Sequence, residues 1–299
     1  MKEIFKIFWQ SLKLYSGNFT SFLRYMAFPV FGQVLGLLWI IGISFAYITY
    51  LPKMLQNNLM NNFSIIFLIL LLITLPGFFV MLKAFWEYLV AYGAINSMLD
   101  GLIKSGRIYD FPAHNEVITR KTAKFIGVWF VISILTLIAL IPIFWIFGAI
   151  LFVYWILVFQ VFVFEPDEGV IGCFKRSFQI IKGKFGQTFL LLLLIGLFTN
   201  WFLPFICEQF LSITKILGYL AIPFDSVTVL LPLSEINRKI PTEINSLMLA
   251  KQIVLSFANF IILGLTLPMR SICWGLWYKK NVKAKSKIDK RLLQRAEEK

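Results

Sequence analysis

Charge is scarce in this 299-residue chain, and acidic charge is scarcest: Asp and Glu number 15, against 29 Lys and Arg. Charged residues make up 15% of the whole, where an ordinary soluble domain has about 25%. Apolar residues take their place. The chain is 59% hydrophobic and 17% aromatic, with a mean hydropathy of +0.79. That balance excludes a soluble enzyme, a disordered chain and a collagen-like chain, and points to a polytopic membrane protein. Histidine is limited to His114, so a His-based metal site or a Ser-His-Asp triad has almost nothing to draw on. The three cysteines, Cys173, Cys207 and Cys273, are odd in number and form no CxxC pair, which argues against a disulfide framework. No cofactor and no metal are expected.

The net charge of +14 would suggest nucleic acid in a soluble protein. In a membrane protein it more often records threading, because Lys and Arg collect in cytoplasmic loops. No nucleic-acid partner is expected. A cleavable signal peptide is not expected either, since Lys2, Lys6 and Lys13 are spread along an amphipathic pattern and the apolar run that follows is long.

A helix needs about 20 apolar residues to cross the hydrocarbon core. The runs predict six spans, at about 25–50, 63–82, 125–143, 146–164, 188–207 and 252–273. Lys124 and Glu165 bracket 40 uncharged residues. At about 1.5 Å per residue these are long enough for two crossings, with the turn near Pro142 and Gly148. An aromatic belt of Trp274, Trp277 and Tyr278 closes the sixth span. Residues 216–233 are apolar but hold Pro223, Asp225 and Pro232, so a regular helix is expected to break there. We read them as re-entrant or interfacial, within an outer loop at 209–250. With both termini inside, 22 of the 29 basic residues fall on the cytoplasmic side and five outside. A seventh span would carry the nine basic residues of the 279–299 tail to the wrong side. The chain thus reads as one transmembrane domain, 1–278, with a basic cytoplasmic tail.

Two amphipathic segments, about 3–19 and 168–185, precede spans one and five. Phe8, Leu12, Tyr15 and Phe19 form an apolar stripe, and 166 residues on stand Phe174, Phe178, Ile181 and Phe185. Ser11 maps to Ser177 and Gly17 to Gly183. Farther along, Ile73-Thr74-Leu75-Pro76 is similar to Leu265-Thr266-Leu267-Pro268. The recurrence points to a parallel internal repeat, with spans three and four inserted between the copies. Both segments are expected to be interfacial helices.

From Glu165 the chain reads EPDEGVIGCFKRSFQIIKGKF. This resembles a motif in a group of bacterial polytopic membrane proteins that includes the membrane domain attached to some glycerophosphoryl diester phosphodiesterases. The positions that carry the resemblance are Glu165, Lys175, Arg176, Ser177, Gly183 and Phe185; Cys173 stands where a small alanine is usual. The resemblance covers most of the chain up to about Tyr278 and implies a bacterial inner-membrane protein. It implies no reaction, because the phosphodiesterase chemistry of the larger relatives lives in a separate barrel of about 250 residues, for which this chain has no room.

Ionisable residues inside spans are the remaining leads, because they are costly in lipid. Lys83 and Glu87 are four apart and share a helix face where they can pair. Lys83 and Arg270 are expected to snorkel toward the inner surface. Asp100, Asp110 and His114 read as solvated loop residues. No catalytic constellation emerges. The expectation is a non-enzymatic, all-α integral protein of the bacterial inner (plasma) membrane, whose basic cytoplasmic face and interfacial helices engage anionic lipid headgroups or a protein partner. The alternatives are a transporter or lipid-translocating protein with its path at the repeat interface, and then a membrane-embedded enzyme.

Overall fold

In hydrocarbon a backbone must satisfy its own hydrogen bonds, and a single chain this apolar does so through helices. The computed structural model describes residues 1–56, 63–108, 110–231, 233, 237–238 and 243–297, and no strand occurs among them. In chain order the helices are α1 (Lys2–Gly17), α2 (Phe19–Gln56), α3 (Phe63–Ser105), α4 (Phe111–Thr119), α5 (Thr122–Ala139), α6 (Trp145–Trp155) and α7 (Val158–Phe164). Then follow α8 (Val170–Ile181), α9 (Phe185–Leu197), α10 (Leu203–Ile213), α11 (Ile216–Thr228), α12 (Ser246–Leu265) and α13 (Leu267–Glu297). Among the described residues, six stretches are long and apolar enough to cross a membrane: Phe19–Tyr47, Ile65–Ser105, Thr122–Ala139, Pro142–Phe164, Phe185–Ile213 and Ser246–Lys283. The chain is an all-α, multi-pass membrane protein.

Several boundaries differ from the expected ones, each for a packing reason. The second span continues as helix to Ser105 rather than ending near Leu82. Its last turns are enclosed by protein, since Val90, Ala91, Ala94, Ile95, Met98, Leu99 and Leu102 are buried. The turn between α5 and the following span falls at Leu140 and Ile141, where the Trp145 indole donates to the Leu140 carbonyl at 3.1 Å. Within 209–250, residues 216–228 form a helix rather than a loop, and Pro223 lies inside it without breaking it. At about 1.5 Å per residue this helix covers about 20 Å, short of the 30 Å hydrocarbon core. It packs on α12 through Leu217, Ala221, Ala250 and Val254, burial that offsets the backbone bond lost at proline. Pro232 lies outside the described residues.

The chain divides into two compact units. The first comprises Met1–Tyr25, Leu89–Leu197 and Thr266–Lys299. Its interior includes an aromatic cluster in which Phe159 meets Trp129 at 4.6 Å and Tyr92 at 4.8 Å between ring centroids. Trp274, Trp277 and Tyr278, expected as an aromatic belt, are buried in this unit at 3%, 1% and 4% exposure.

The second unit comprises Met26–Tyr88 and Phe198–Leu265. Here α2 and α3 form an antiparallel hairpin whose backbones nearly touch: a Cβ on Gly36 would stand 2.5 Å from the Gly77 carbonyl oxygen. The Trp39 indole closes the next turn by donating to the Ile73 carbonyl at 2.9 Å. The α12 side of this unit meets the hairpin where Gly264 lies against Val30.

Candidate functional site

Four consecutive residues near the basic end of the first unit each reach a different element. Tyr278, Lys279, Lys280 and Asn281 lie on α13, and successive residues of an α-helix point about 100° apart. The Tyr278 hydroxyl donates to Glu165 Oε1 at 2.5 Å, just past the end of α7. The Lys279 ammonium pairs with Asp100 on α3 and lies 4.9 Å from the centre of the Phe164 ring. Lys280 pairs with Glu3 on α1 at 2.6 Å. Asn281 accepts through Oδ1 from Lys184, between α8 and α9, at 2.7 Å. Immediately before this turn, the Trp277 indole donates to the Thr188 hydroxyl of α9 at 3.1 Å. The turn is therefore a post with a charged collar around it, and the helix above it is enclosed.

Register explains how α3 supplies its part. Asp100 and Lys279 are 179 residues apart. Asn96 lies against Gly275, 3.3 Å from where a Cβ would be, and one helical turn earlier on both helices. The two helices thus run parallel, and the missing side chain at Gly275 lets α3 approach. Asn96 Oδ1 accepts from Gln160 of α7 at 3.1 Å, which gives this interior one fully buried polar crosslink. Gln160 Oε1 and the Ser271 hydroxyl, both buried, have no partner among the described residues.

Glu165 is the centre of the motif read from the sequence, and the structure brings most of that motif together. The Arg176 guanidinium donates through Nε to Glu165 at 2.8 Å and 3.1 Å, so one carboxylate gathers α8 and α13. Ser177 is buried and donates to the Tyr154 carbonyl at 2.7 Å. Phe185 and Phe178 pack on the Tyr154 ring at 5.2 Å and 4.5 Å. Gly183 has φ +83, the left-handed backbone that glycine adopts freely where the chain turns from α8 into α9. Lys175 is exposed and does not join the cluster.

The remaining residues singled out above lie elsewhere. Ser11 is buried on α1 and donates to the Phe8 carbonyl at 2.7 Å, with the Cys273 thiol in hydrogen-bond reach. Gly17 is the last residue of α1 and its φ is not positive; Asn18 makes the junction to α2, its side-chain amide donating to the Gly106 carbonyl at 2.9 Å. Lys83 and Glu87 do not form the expected pair. Lys83 instead lies over the Phe28 ring, 5.4 Å from its centre, in the second unit. Arg270 is half-buried one turn into α13, about 14 Å along the helix from Lys279 at 1.5 Å per residue. That places it inside the apolar stretch Ser246–Lys283. Asp110 caps α4 by accepting from the Ala113 amide, and His114 of that helix bonds Ser97 at 3.0 Å.

The electrostatics follow from these contacts. The hydrogen bond from Lys280 holds the Glu3 carboxyl below its ordinary 4.5. Burial, followed by the neighbouring Lys280 charge, pushes the Lys184 ammonium below its ordinary 10.5. Burial also pushes the Tyr15 phenol up to about 12. Asn281 is 3% exposed, and its Nδ2 has no partner; an unmade buried donor costs about 1–3 kcal/mol. Among the described residues no group of three His, Cys, Asp or Glu side chains is gathered to hold a metal.

Sequence reading missed Glu3, Asp100, Lys184 and the 278–281 turn. Lysines beyond an apolar run read as topology signal, and Asp100 read as a loop. The usable signal was the scarcity of acid: Glu3, Asp100 and Glu165 all stand on the basic side, where each meets a tyrosine, lysine or arginine.

No family model, no curated protein and no solved structure matches this chain.

Proposed function

We propose that this is a non-enzymatic protein of a bacterial inner membrane, with both termini cytoplasmic, that engages anionic lipid headgroups or a protein partner through its basic face. One observation carries the reading. α13 runs without a break from the packed interior, through the collar, into the basic stretch that ends at Glu297. A ligand held by that stretch is therefore mechanically continuous with a helix that α1, α3 and α9 all grip. Tight packing supports an accessory role: a Cβ on Gly93 of α3 would stand 2.7 Å from the Ile118 side chain. The resemblance to the phosphodiesterase-associated membrane domains fits the same reading, because the motif residues Glu165, Arg176, Ser177 and Phe185 brace this helix and its neighbours rather than framing a cleft.

Hydrogen exchange of the full-length protein in nanodiscs tests the proposal. Amides of residues 283–297 should exchange more slowly in phosphatidylglycerol-containing discs than in phosphatidylcholine discs, and salt should erase the difference. Equal exchange in both discs would leave a protein partner as the occupant of the basic face. A transporter is the second reading, favoured by the unpartnered Gln160 and Ser271 oxygens in the interior.

A further inference from the structure

We propose that Lys184, Lys280 and Asn281 form a binding site for a phosphate group, occupied in this conformation by the carboxylate of Glu3. The inference rests on the lipid-engaging reading above and names the chemistry of that site.

The donors converge from two elements. Lys184 gives one of its three N–H bonds to Asn281 Oδ1 at 2.7 Å. The Nδ2 of the same amide sits beside that contact, nine-tenths buried and unpartnered. An amide turned the other way would aim its N–H at an ammonium, so Nδ2 is the atom left to donate. Lys280, the preceding residue, brings a second ammonium, close enough for Lys184 to feel its charge. Lys184 also immediately precedes α9, whose first amides have no intrahelical acceptor and favour an anion. Gly183 bends the chain there with φ +83 and open space within 4 Å of its Cβ position.

These donors suit a compact, multiply accepting anion, and Glu3 already behaves as its stand-in. Its carboxylate pairs with Lys280 at 2.6 Å and feels Lys184. Yet Glu3 leaves Asn281 Nδ2 unmade, whereas a phosphate has oxygens for both ammonium groups and the amide together. The location favours a lipid. Phe185 opens a membrane-crossing stretch, so Lys184 stands at the edge of the hydrocarbon, the depth of lipid phosphates. Occupancy would displace Glu3 and free the first turn of α1.

The full-length protein in neutral detergent is titrated with dioctanoyl phosphatidic acid, phosphatidylglycerol, phosphatidylcholine or inorganic phosphate. Bound species are counted by native mass spectrometry, and amide exchange is followed at residues 2–8. The two anionic lipids should bind, phosphatidylcholine should not, and exchange at residues 2–8 should quicken on binding. Glu3→Gln, an exposed change, should tighten binding several-fold because it removes the competing carboxylate. Lys184→Gln and Asn281→Asp should weaken it about tenfold, or about 1.4 kcal/mol. Inorganic phosphate acting alone on residues 2–8 would make the free ion the ligand. Unchanged affinity in Glu3→Gln and Asn281→Asp would overturn the site. If binding were instead lost in a Lys287→Gln/Lys290→Gln/Arg291→Gln/Arg295→Gln chain, the lipid-engaging reading would stand without it. Absence of anionic-lipid binding in every chain would sink both.

Discussion

At the scale of single residues, Glu165 does the most. It accepts from Arg176 and Tyr278 at once, with about a quarter of its side chain exposed. Glu165→Ala strands a guanidinium and a hydroxyl, and should cost about 2–3 kcal/mol; Tyr278→Phe removes one bond and should cost about 1 kcal/mol. Thermal unfolding in detergent would rank the two, and the reverse order would mean that Arg176 finds another partner. Glu3 makes a different prediction, in pH. Its carboxyl is depressed below 4.5 by Lys280, so its contribution to folding is present above the unfolded value and is lost as the pH falls through the lower, folded one. Lowering the pH from above 4.5 to below it should loosen the first turn of α1, measured as faster amide exchange relative to Glu3→Gln at the same pH. These residues were only half legible in the sequence. Glu165 and Arg176 stood out because eleven residues separate them within one short motif. Asp100 and Lys279 did not, because nothing local joins residues 179 apart.

Elements were more legible, since an amphipathic or apolar run declares itself by period. The helices α1 and α8, expected from their amphipathic pattern, lie close to their expected places, and their junctions bear on the proposed repeat. Asn18 and Lys184, related by the same 166-residue shift as Gly17 and Gly183, each bond a residue near the end of, or on, the helix that returns in its own half, at Gly106 and Asn281. The backbone differs between the two segments, however: Gly183 needs φ +83 and Gly17 does not. Gly183→Ala should therefore cost about 1–2 kcal/mol, while Gly17→Ala should stabilise by about 0.5 kcal/mol. Equal effects on unfolding would contradict the asymmetry. Residues 216–228 are too short to span, as expected, but their unbroken helix was not legible, because proline's local penalty is visible in a sequence and the α12 surface that offsets it is not.

For the whole molecule, composition alone places the chain in a membrane, and the count of six apolar stretches agrees with the count read from hydropathy. The threading proposed here predicts that a cysteine at position 290 is labelled by an impermeant reagent only after the cells are opened; labelling in intact cells would reverse it. Where the spans end was less legible, because α3 and α13 continue as helix past their apolar runs through turns that protein buries, such as those at Leu102 and Tyr278, and hydropathy measures only lipid. The collar has a consequence for biosynthesis. Glu3, Asp100 and Glu165 all leave the ribosome before the Tyr278–Asn281 turn that completes their pairing. The first unit therefore closes as an arch closes on its keystone: in a nascent chain halted short of residue 278, Glu3 and Asp100 lack their lysine partners and Glu165 has Arg176 alone, which leaves the partly made unit exposed to quality control.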